Sequence, residues 1–476
     1  MTSTGPSLLA LLAVSVVLIV LLIARLKLHP FLSILAGTYT FGLGALAVGE
    51  LSGADGPAIE DLNGVVAEGF GNILAGIGLV ILFGTIIGKV LERTGATVAL
   101  ADGVLRLLGD RQPALGMSII GWITSIPVFC DSGYVVLSPL QRSIARRTGK
   151  NPVVLGTALA TGLYASHTFV PPTPGPIAAA GNLGIGPSGL VWVIVFGMGV
   201  SLVTAAAGLL WAQRMTAGLE SSLPDAQQSF EEYKAQFERI PSLGRSLTPI
   251  LLPIGLMAVG SVAALPTGED TTLVDGALGT VVAFVGVPAV ALLLGVVAAL
   301  LLLPPSRDEE ALGTWVGEGI VDAAVIITIT GAGGAFGAVI GASPIPDEIQ
   351  ALLGDGSSVG GVLSLLVLFA IAALLKTAQG SSTAAIVITS SIAAPLMETL
   401  GLTGELGPVP IGLVLAVMAI GAGAMVVSHV NDSYFWVVSQ FSGMSVTTAY
   451  RAHTAATLVQ GLTGLVVVLL LGALLL

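Results

Sequence analysis

Residues 113–143 read PALGMSIIGWITSIPVFCDSGYVVLSPLQRS. The stretch is apolar at both ends and broken in its middle, at Ile126-Pro127-Val128-Phe129-Cys130-Asp131-Ser132-Gly133. A helix needs about 20 consecutive apolar residues to cross a bilayer, and irregular backbone survives at membrane depth only where protein or a water-filled cavity satisfies it. The pattern therefore predicts a helical hairpin that enters and leaves by the same face. Residues 362–398, VLSLLVLFAIAALLKTAQGSSTAAIVITSSIAAPLME, are broken in the same way over Lys376-Thr377-Ala378-Gln379-Gly380-Ser381-Ser382-Thr383 and predict a second hairpin.

Around these hairpins lie ten apolar runs long enough to span: Ser7–Ile23, Pro30–Gly49, Ile73–Leu91, Pro152–Ala179, Leu190–Trp211, Leu247–Leu265, Leu278–Leu303, Val321–Ile340, Pro410–Val438 and Ala452–Leu476. Two of them are broken spans. Pro152–Ala179 is interrupted over residues 166–176, SHTFVPPTPGP, and Pro410–Val438 over residues 428–433, SHVNDS. The composition agrees. Hydrophobic residues make up 54% and charged residues 9% of 476 residues, against about 25% charged in a soluble domain. Too few polar side chains remain to cover a soluble surface, and disorder needs the opposite balance. The expected fold is an all-α polytopic membrane protein.

The charges orient it. Threading ten spans and two hairpins places segments 25–29, 89–112, 141–151, 213–246, 304–311 and 439–451 on one face, and these hold sixteen of the 17 Lys and Arg residues. The positive-inside rule makes that face cytoplasmic. Both termini are then external. The first span lacks a basic n-region and reads as a retained helix rather than a cleaved signal peptide. The net charge of −11 argues against nucleic acid as a partner, and the single Cys130 excludes an internal disulfide. The seventeenth basic residue, Lys376, lies inside the second hairpin, where a charge is costly and marks a functional site by default.

The two halves resemble each other. Glu68-Gly69 and Glu318-Gly319 each begin a Gly-rich span. Leu-Leu-Gly-Asp follows at 107–110 and at 352–355, then a broken hairpin, then Ser-His at 166–167 and 428–429. In the threaded topology one hairpin enters from the cytoplasm and the other from outside, which makes the repeats inverted. The expected organisation is a first repeat over 1–212, a cytoplasmic connector with an amphipathic helix over 213–246, and a second repeat over 247–476. Inverted repeats with broken helices mark secondary transporters that bind substrate near the midplane.

Four breaks at matched positions predict one shared cavity, and its inventory suits a small hydroxylated carboxylate. A hairpin tip exposes a helix N-terminus, which favours anions. Gly133 and Gly380 permit close backbone approach, Lys376 adds a positive charge, and Ser132, Ser381, Ser382, Thr383 and Asn431 offer hydrogen bonds. Each piece has a structural alternative. Asp131 can pair with Lys376 across the tips, Ser and Thr in membrane helices commonly bond their own backbone, and the prolines over 171–176 can simply kink the span. His29 and His453 read as ordinary interfacial residues, as do Glu318 and Asp322. His167 and His429 occupy equivalent places in the two halves. Asp131, His167, His429 and Asp432 are the candidates for proton coupling, since histidine titrates near neutral pH and a buried carboxylate is raised toward it. Carbonyls and hydroxyls at the breaks leave sodium as an alternative coupling ion. A membrane-embedded enzyme would need a metal or nucleophile constellation. The chain has no H-E-x-x-H pair, so no metal or other cofactor is expected. A passive channel lacks the repeated pore ring it would need.

Several of these segments carry a resemblance. PVFCDSGYVVLSPL at 127–140, ARRTGK at 145–150, SHTFVPPTPGPIAAAGNLG at 166–184, AQGSSTAA at 378–385 and SHVNDSYFWVV at 428–438 resemble, in order, the gluconate permease family of GntP type. The likeness runs from about Gly69 to Val446. It implies a mobile transport domain moving like an elevator against a scaffold, a homodimer, and proton symport of gluconate or a related sugar acid in a bacterial inner membrane. It points to Asp131, Gly133, His167, Pro171, Pro172, Gln379, Gly380, Ser381, His429, Asn431, Asp432 and Ser433, with Thr168 and Thr173 beside them in the first broken span. The chain departs from some members of that family at Cys130-Asp131-Ser132, where they have Phe-Asp-Val, at Thr173, where they have His, and at Lys376, where they have Arg. These departures lie at the expected site and leave the acid open, with D-glycerate, D-serine and fructuronate as alternatives.

Overall fold

The structure, a computed structural model, describes residues 5–52, 62–108, 112–186, 189–221, 235–237, 239–263, 273–274, 276–303, 309–346, 358–430 and 432–476. The described residues form helices and connecting turns, with one isolated bridge between Leu406 and Val409. Four helices open the chain: α1 (Gly5–Ala24), α2 (Pro30–Ser52), α3 (Leu62–Arg93) and α4 (Ala96–Leu108). The first hairpin is α5 (Pro113–Thr124) and α6 (Cys130–Thr148), and the first broken span is α7 (Pro152–Phe169) and α8 (Pro174–Asn182). After α9 (Leu190–Met215) come α10 (Leu243–Ala263), α11 (Gly276–Gly286), α12 (Pro288–Leu302) and α13 (Glu309–Gly341). The second hairpin is α14 (Ser358–Gln379) and α15 (Ser382–Ala393), and the second broken span is α16 (Ile411–Met425) and α17 (Ser433–Phe441). The chain closes with α18 (Val446–Ala449), a π-helical turn over Tyr450–Thr454, and α19 (Ala455–Leu475).

Local chemistry sets the breaks. Pro113, Pro152 and Pro174 stand at the first helical turn, where a missing N–H costs nothing. The Asn151 side chain accepts from Val153 N, and Gly149 ends α6 in the left-handed region. Ser381 caps α15 by accepting from Ala384 N, and Asp432 caps α17 by accepting from Tyr434 N. Gly380, at φ +85°, makes the turn at the second tip, a conformation that an L side chain resists.

Among the described residues nine helices are long and apolar enough to cross a bilayer, and ten if the α11–α12 pair counts as one. The membership differs from the sequence reading. Leu278–Leu303 is two helices bent by 71°, because Pro288 opens α12 and cannot continue the hydrogen-bond ladder of α11. The second hairpin's first arm qualifies as a span by length, whereas the α16 half of the second broken span does not. α3 and α13 run to 32 and 33 residues, well beyond the apolar runs Ile73–Leu91 and Val321–Ile340, because polar first turns hide a helix from a hydropathy reading. The repeated Leu-Leu-Gly-Asp and the connector helix fall largely outside the described residues.

The broken spans are the interior. The 18-residue apolar window in Pro152–Asn182 is wholly buried, against 22% for the window in Pro6–Ile23. Each hairpin's first arm packs on the first half of its own broken span, α5 on α7 and α14 on α16. The second arms cross over: α6 packs on α17, and α15 on α8. α3 and α13 lie antiparallel. A Cβ on Gly69 would sit 2.5 Å from the Ala338 Cβ, and one on Gly319 would sit 2.8 Å from the Ile86 Cα, so small residues let the two backbones approach. At one end of this pair Arg93 grips Glu318 at 2.5 and 2.8 Å, and Lys89 meets Asp322 at 2.9 Å.

Candidate functional site

The four breaks open onto one cavity of about 640 Å³. The first hairpin tip contributes Asp131 and Ser132, the first broken span His167, the second tip residues 379–383, and the second broken span Asp432 and Ser433. The remaining wall comes from the α3–α13 pair, through Lys89, Asp322 and the apolar Val325 and Ile329. α6 starts at this cavity with no side-chain cap on its first N–H groups, and the α15 N-terminus faces the same space. Two positive dipole ends therefore converge where an anion would sit.

Lys376 does not reach into the cavity as a free charge. Its Nζ, fully buried, donates to Asp432 Oδ2 at 2.5 Å and to the Gly380 carbonyl at 2.6 Å, and it lies 5.9 Å from the centre of the Tyr164 ring. Its carboxylate partner is thus Asp432 and not Asp131. Asp432 Oδ2 also accepts from Ser428 Oγ at 2.5 Å. The bond ties the second hairpin to the second broken span at their breaks. A charge pair that is wholly desolvated stays ionic only when its remaining hydrogen bonds are supplied, as the Gly380 carbonyl, Ser428 hydroxyl and Tyr434 N–H supply them here.

Asp131 has no ion pair among the described residues. Its Oδ1 accepts from Ser433 Oγ at 3.0 Å, and the Cys130 thiol lies 3.6 Å from Oδ2. Among the described residues, the Gln379 amide faces the cavity with neither its oxygen nor its nitrogen hydrogen-bonded, and His167 Nδ1 likewise has no partner. Buried polar atoms are normally satisfied, so these are the groups with unused capacity for a polar ligand.

Several expected residues lie elsewhere. Thr168 and Thr173 are buried and donate to the carbonyls of Tyr164 and Val170 on their own segment. Gly133 sits in α6, where a Cβ would meet Leu163. The His429 ring bonds the Thr377 carbonyl at 2.9 Å and does not line the cavity. Asn431 lies outside the described residues. Other residues enter that the sequence reading passed over. By sequence Lys89 is one of many basic residues on the face expected to be cytoplasmic, and Asp322 reads as interfacial, yet both line the cavity. His453 also read as interfacial. It is fully buried, and its Nε2 lies 3.0 Å from Ser428 Oγ.

Comparisons with known proteins speak to the family and the fold. The family described as GntP family permease matches residues 7–474. The chain is 30% identical to the gluconate permease of Pseudomonas aeruginosa over 464 residues, 96% of each chain. It is 32% identical to the D-serine transporter DsdX of Escherichia coli over 460 residues, 95% of this chain and 96% of the other. In structure it resembles the YdaH transporter of Alcanivorax borkumensis, with a TM-score of 0.62 at 16% identity over 87% of this chain and 89% of that one. MtrF of Neisseria gonorrhoeae gives a TM-score of 0.62 at 15% identity, over 87% and 84%. Both likenesses speak to the fold alone. The chain belongs to the GntP family of permeases: it is a multi-pass membrane transporter, and not an enzyme.

Proposed function

We propose that the protein is a proton-coupled symporter of gluconate or a related small sugar acid, working as a homodimer in a bacterial inner membrane with both termini outside. The observation that carries this reading is the charge balance of the cavity. Its wall holds Lys89 against Asp131, Asp322 and Asp432, with Lys376 directly behind Asp432. The two cations already have carboxylate partners, and Asp131 is left over. An anion entering a low-dielectric site that is already negative is repelled. A proton on one of these carboxylates removes that repulsion, so proton and acid bind together. The unused Gln379 amide and the hydroxyls of Ser382 and Thr383 suit a polyhydroxylated chain, and the two helix N-termini suit its carboxylate.

The inverted repeats over 1–212 and 247–476 are part of the reading. It is supported by the antiparallel α3–α13 pair and by the reciprocal crossing of α6 onto α17 and α15 onto α8. The two hairpins and two broken spans are taken as the moving unit. They share the cavity with α3 and α13, which is the arrangement an elevator movement needs. The relatives' names, gluconate permease and D-serine transporter, support a substrate among small hydroxylated acids.

The test is uptake into proteoliposomes of purified protein over a panel of labelled hydroxy acids, with an inward proton gradient imposed. Accumulation of at least one acid that collapses with a protonophore is expected. Uptake that follows a sodium gradient and ignores protons would replace the proton with sodium. No gradient-driven uptake of any acid would sink the reading.

A further inference from the structure

His453 is a fully buried titratable group that the charge balance above does not use. It lies in the π-helical turn Tyr450–Thr454 that interrupts the last span; such turns are rare and often sit at functional sites. Its Nε2 is 3.0 Å from Ser428 Oγ, and Ser428 Oγ is 2.5 Å from Asp432 Oδ2, which holds Lys376. Thr454 and Thr457 fix the Ser428 backbone: Thr454 Oγ1 donates to its carbonyl at 2.6 Å, and its N–H donates to Thr457 Oγ1 at 3.1 Å. The hydrogen-bond directions follow from chemistry. An ionised Asp432 only accepts, so the Ser428 hydroxyl spends its one hydrogen on Asp432. Ser428 Oγ must then accept from His453, which fixes the Nε2–H tautomer. His453 Nδ1 is left bare, and it is buried with no hydrogen-bond partner among the described residues.

We propose that His453, through Ser428, takes the coupling proton from Asp432, so that Lys376 is a counter-charge for the substrate only while Asp432 is protonated. The proposal rests on the proton-symport reading above. With a proton on Asp432 Oδ2, the chain runs the other way: Asp432 donates to Ser428, Ser428 donates to Nε2, and His453 carries its hydrogen on Nδ1. Lys376 then lacks an ionised partner, and its charge is available to the anion. On release, the Asp432 O–H bond breaks and a new Ser428 O–H forms. The old Ser428 O–H breaks as His453 Nε2–H forms, and the Nδ1–H proton passes to water once a local opening at the neighbouring, exposed Tyr450–Arg451 turn admits it to the buried Nδ1. One proton crosses, no electrons move, and the end state is the observed arrangement. Asp432 closes again on Lys376 and the anion loses its counter-charge.

The charged groups facing His453 are Asp432 from the second break and Lys376 from α14. The phenols nearby are Tyr434 from α17, whose ring centre is 5.2 Å away, and behind it Tyr164 from α7 and Tyr134 from α6. Arg451 is exposed on the same turn.

The test uses proteoliposomes and labelled gluconate, or whichever panel acid the wild type accumulates. In the wild type, half-saturation should weaken by about tenfold per pH unit above the coupling transition, the slope for one linked proton. His453→Gln keeps a donor toward Ser428 but holds no proton. It should lose gradient-driven accumulation and flatten that slope, while exchange of internal for external acid stays within about twofold of wild type, as expected for a binding site left intact. Ser428→Ala should behave alike, and Ser428→Thr, which retains the hydroxyl, should restore the slope. A wild type with no proton-driven uptake of any acid defeats the symport reading itself. A proton-driven wild type whose slope and accumulation survive in His453→Gln or Ser428→Ala overturns the relay alone. Should His453→Gln not fold, the Ser428 pair decides.

Discussion

Lys376 Nζ and Asp432 Oδ2 lie 2.5 Å apart, between the tip of the second hairpin and the break of the second broken span, with both side chains almost fully out of solvent. Removing one partner of such a pair strands the other, which costs about 3–5 kcal/mol, whereas removing both costs far less. Lys376→Ala is therefore expected to lower thermal stability sharply and to weaken acid binding. The double variant Lys376→Ala/Asp432→Ala should regain most of the stability while still binding poorly. Unfolding curves in detergent, read as a double-mutant cycle, check the first half, and titration with labelled acid checks the second.

Asp131 stands apart from this pair. Among the described residues its carboxylate has the Ser433 hydroxyl and the Cys130 thiol as hydrogen-bond partners. Asp131→Asn removes the surplus negative charge without removing the side chain's shape. Gradient-driven accumulation should fall, and exchange across the liposome membrane should persist. Equal loss of both would assign Asp131 to binding or folding.

Gln379 offers a cleaner binding test, because its amide makes no hydrogen bond among the described residues. Gln379→Ala therefore leaves no buried partner unsatisfied. Stability should change by less than about 0.5 kcal/mol, and affinity for a hydroxy acid should drop by about tenfold, the worth of one good hydrogen bond. Competition between hydroxylated and deoxy acids reads which substrate hydroxyl the amide meets.

Gly84 and Gly88 sit on α3 facing the two breaks of the first half. A Cβ on Gly84 would lie 2.9 Å from the Pro172 carbonyl oxygen, and one on Gly88 would collide with that of Pro127. If α3 belongs to the scaffold, this is where the moving unit slides past it. Gly88→Val is expected to slow exchange by more than tenfold, because crowding a packed contact forces backbone shifts of about 1–3 kcal/mol. A binding titration on the same variant should show affinity for the acid nearly unchanged.

Much of this was legible in the sequence, and the limits have a physical pattern. Hydropathy runs and proline positions report local free energies, so the spans, the two hairpins and the breaks at 126–133, 166–176, 376–383 and 428–433 could be placed. Pro288 was read as part of a continuous span because one proline in an apolar run leaves hydropathy unchanged; the 71° bend comes from the ladder it breaks. The partners of buried charges are tertiary facts. Lys376 was singled out by its depth, yet nothing local tells whether it meets Asp131 or Asp432. Lys89 is one basic residue among many in its segment, and the antiparallel contact of α3 with α13 brings it and Asp322 to the cavity. His453 was disguised by Arg451, two residues before it, which gives the turn the look of an interface.

The central claim is that the cavity cannot take an anion without a proton. The most direct test records luminal pH in proteoliposomes as a hydroxy acid enters, with the membrane potential clamped at zero and no proton gradient imposed. The account predicts that the lumen acidifies in step with acid uptake. Uptake of the anion with the lumen pH unchanged would contradict it.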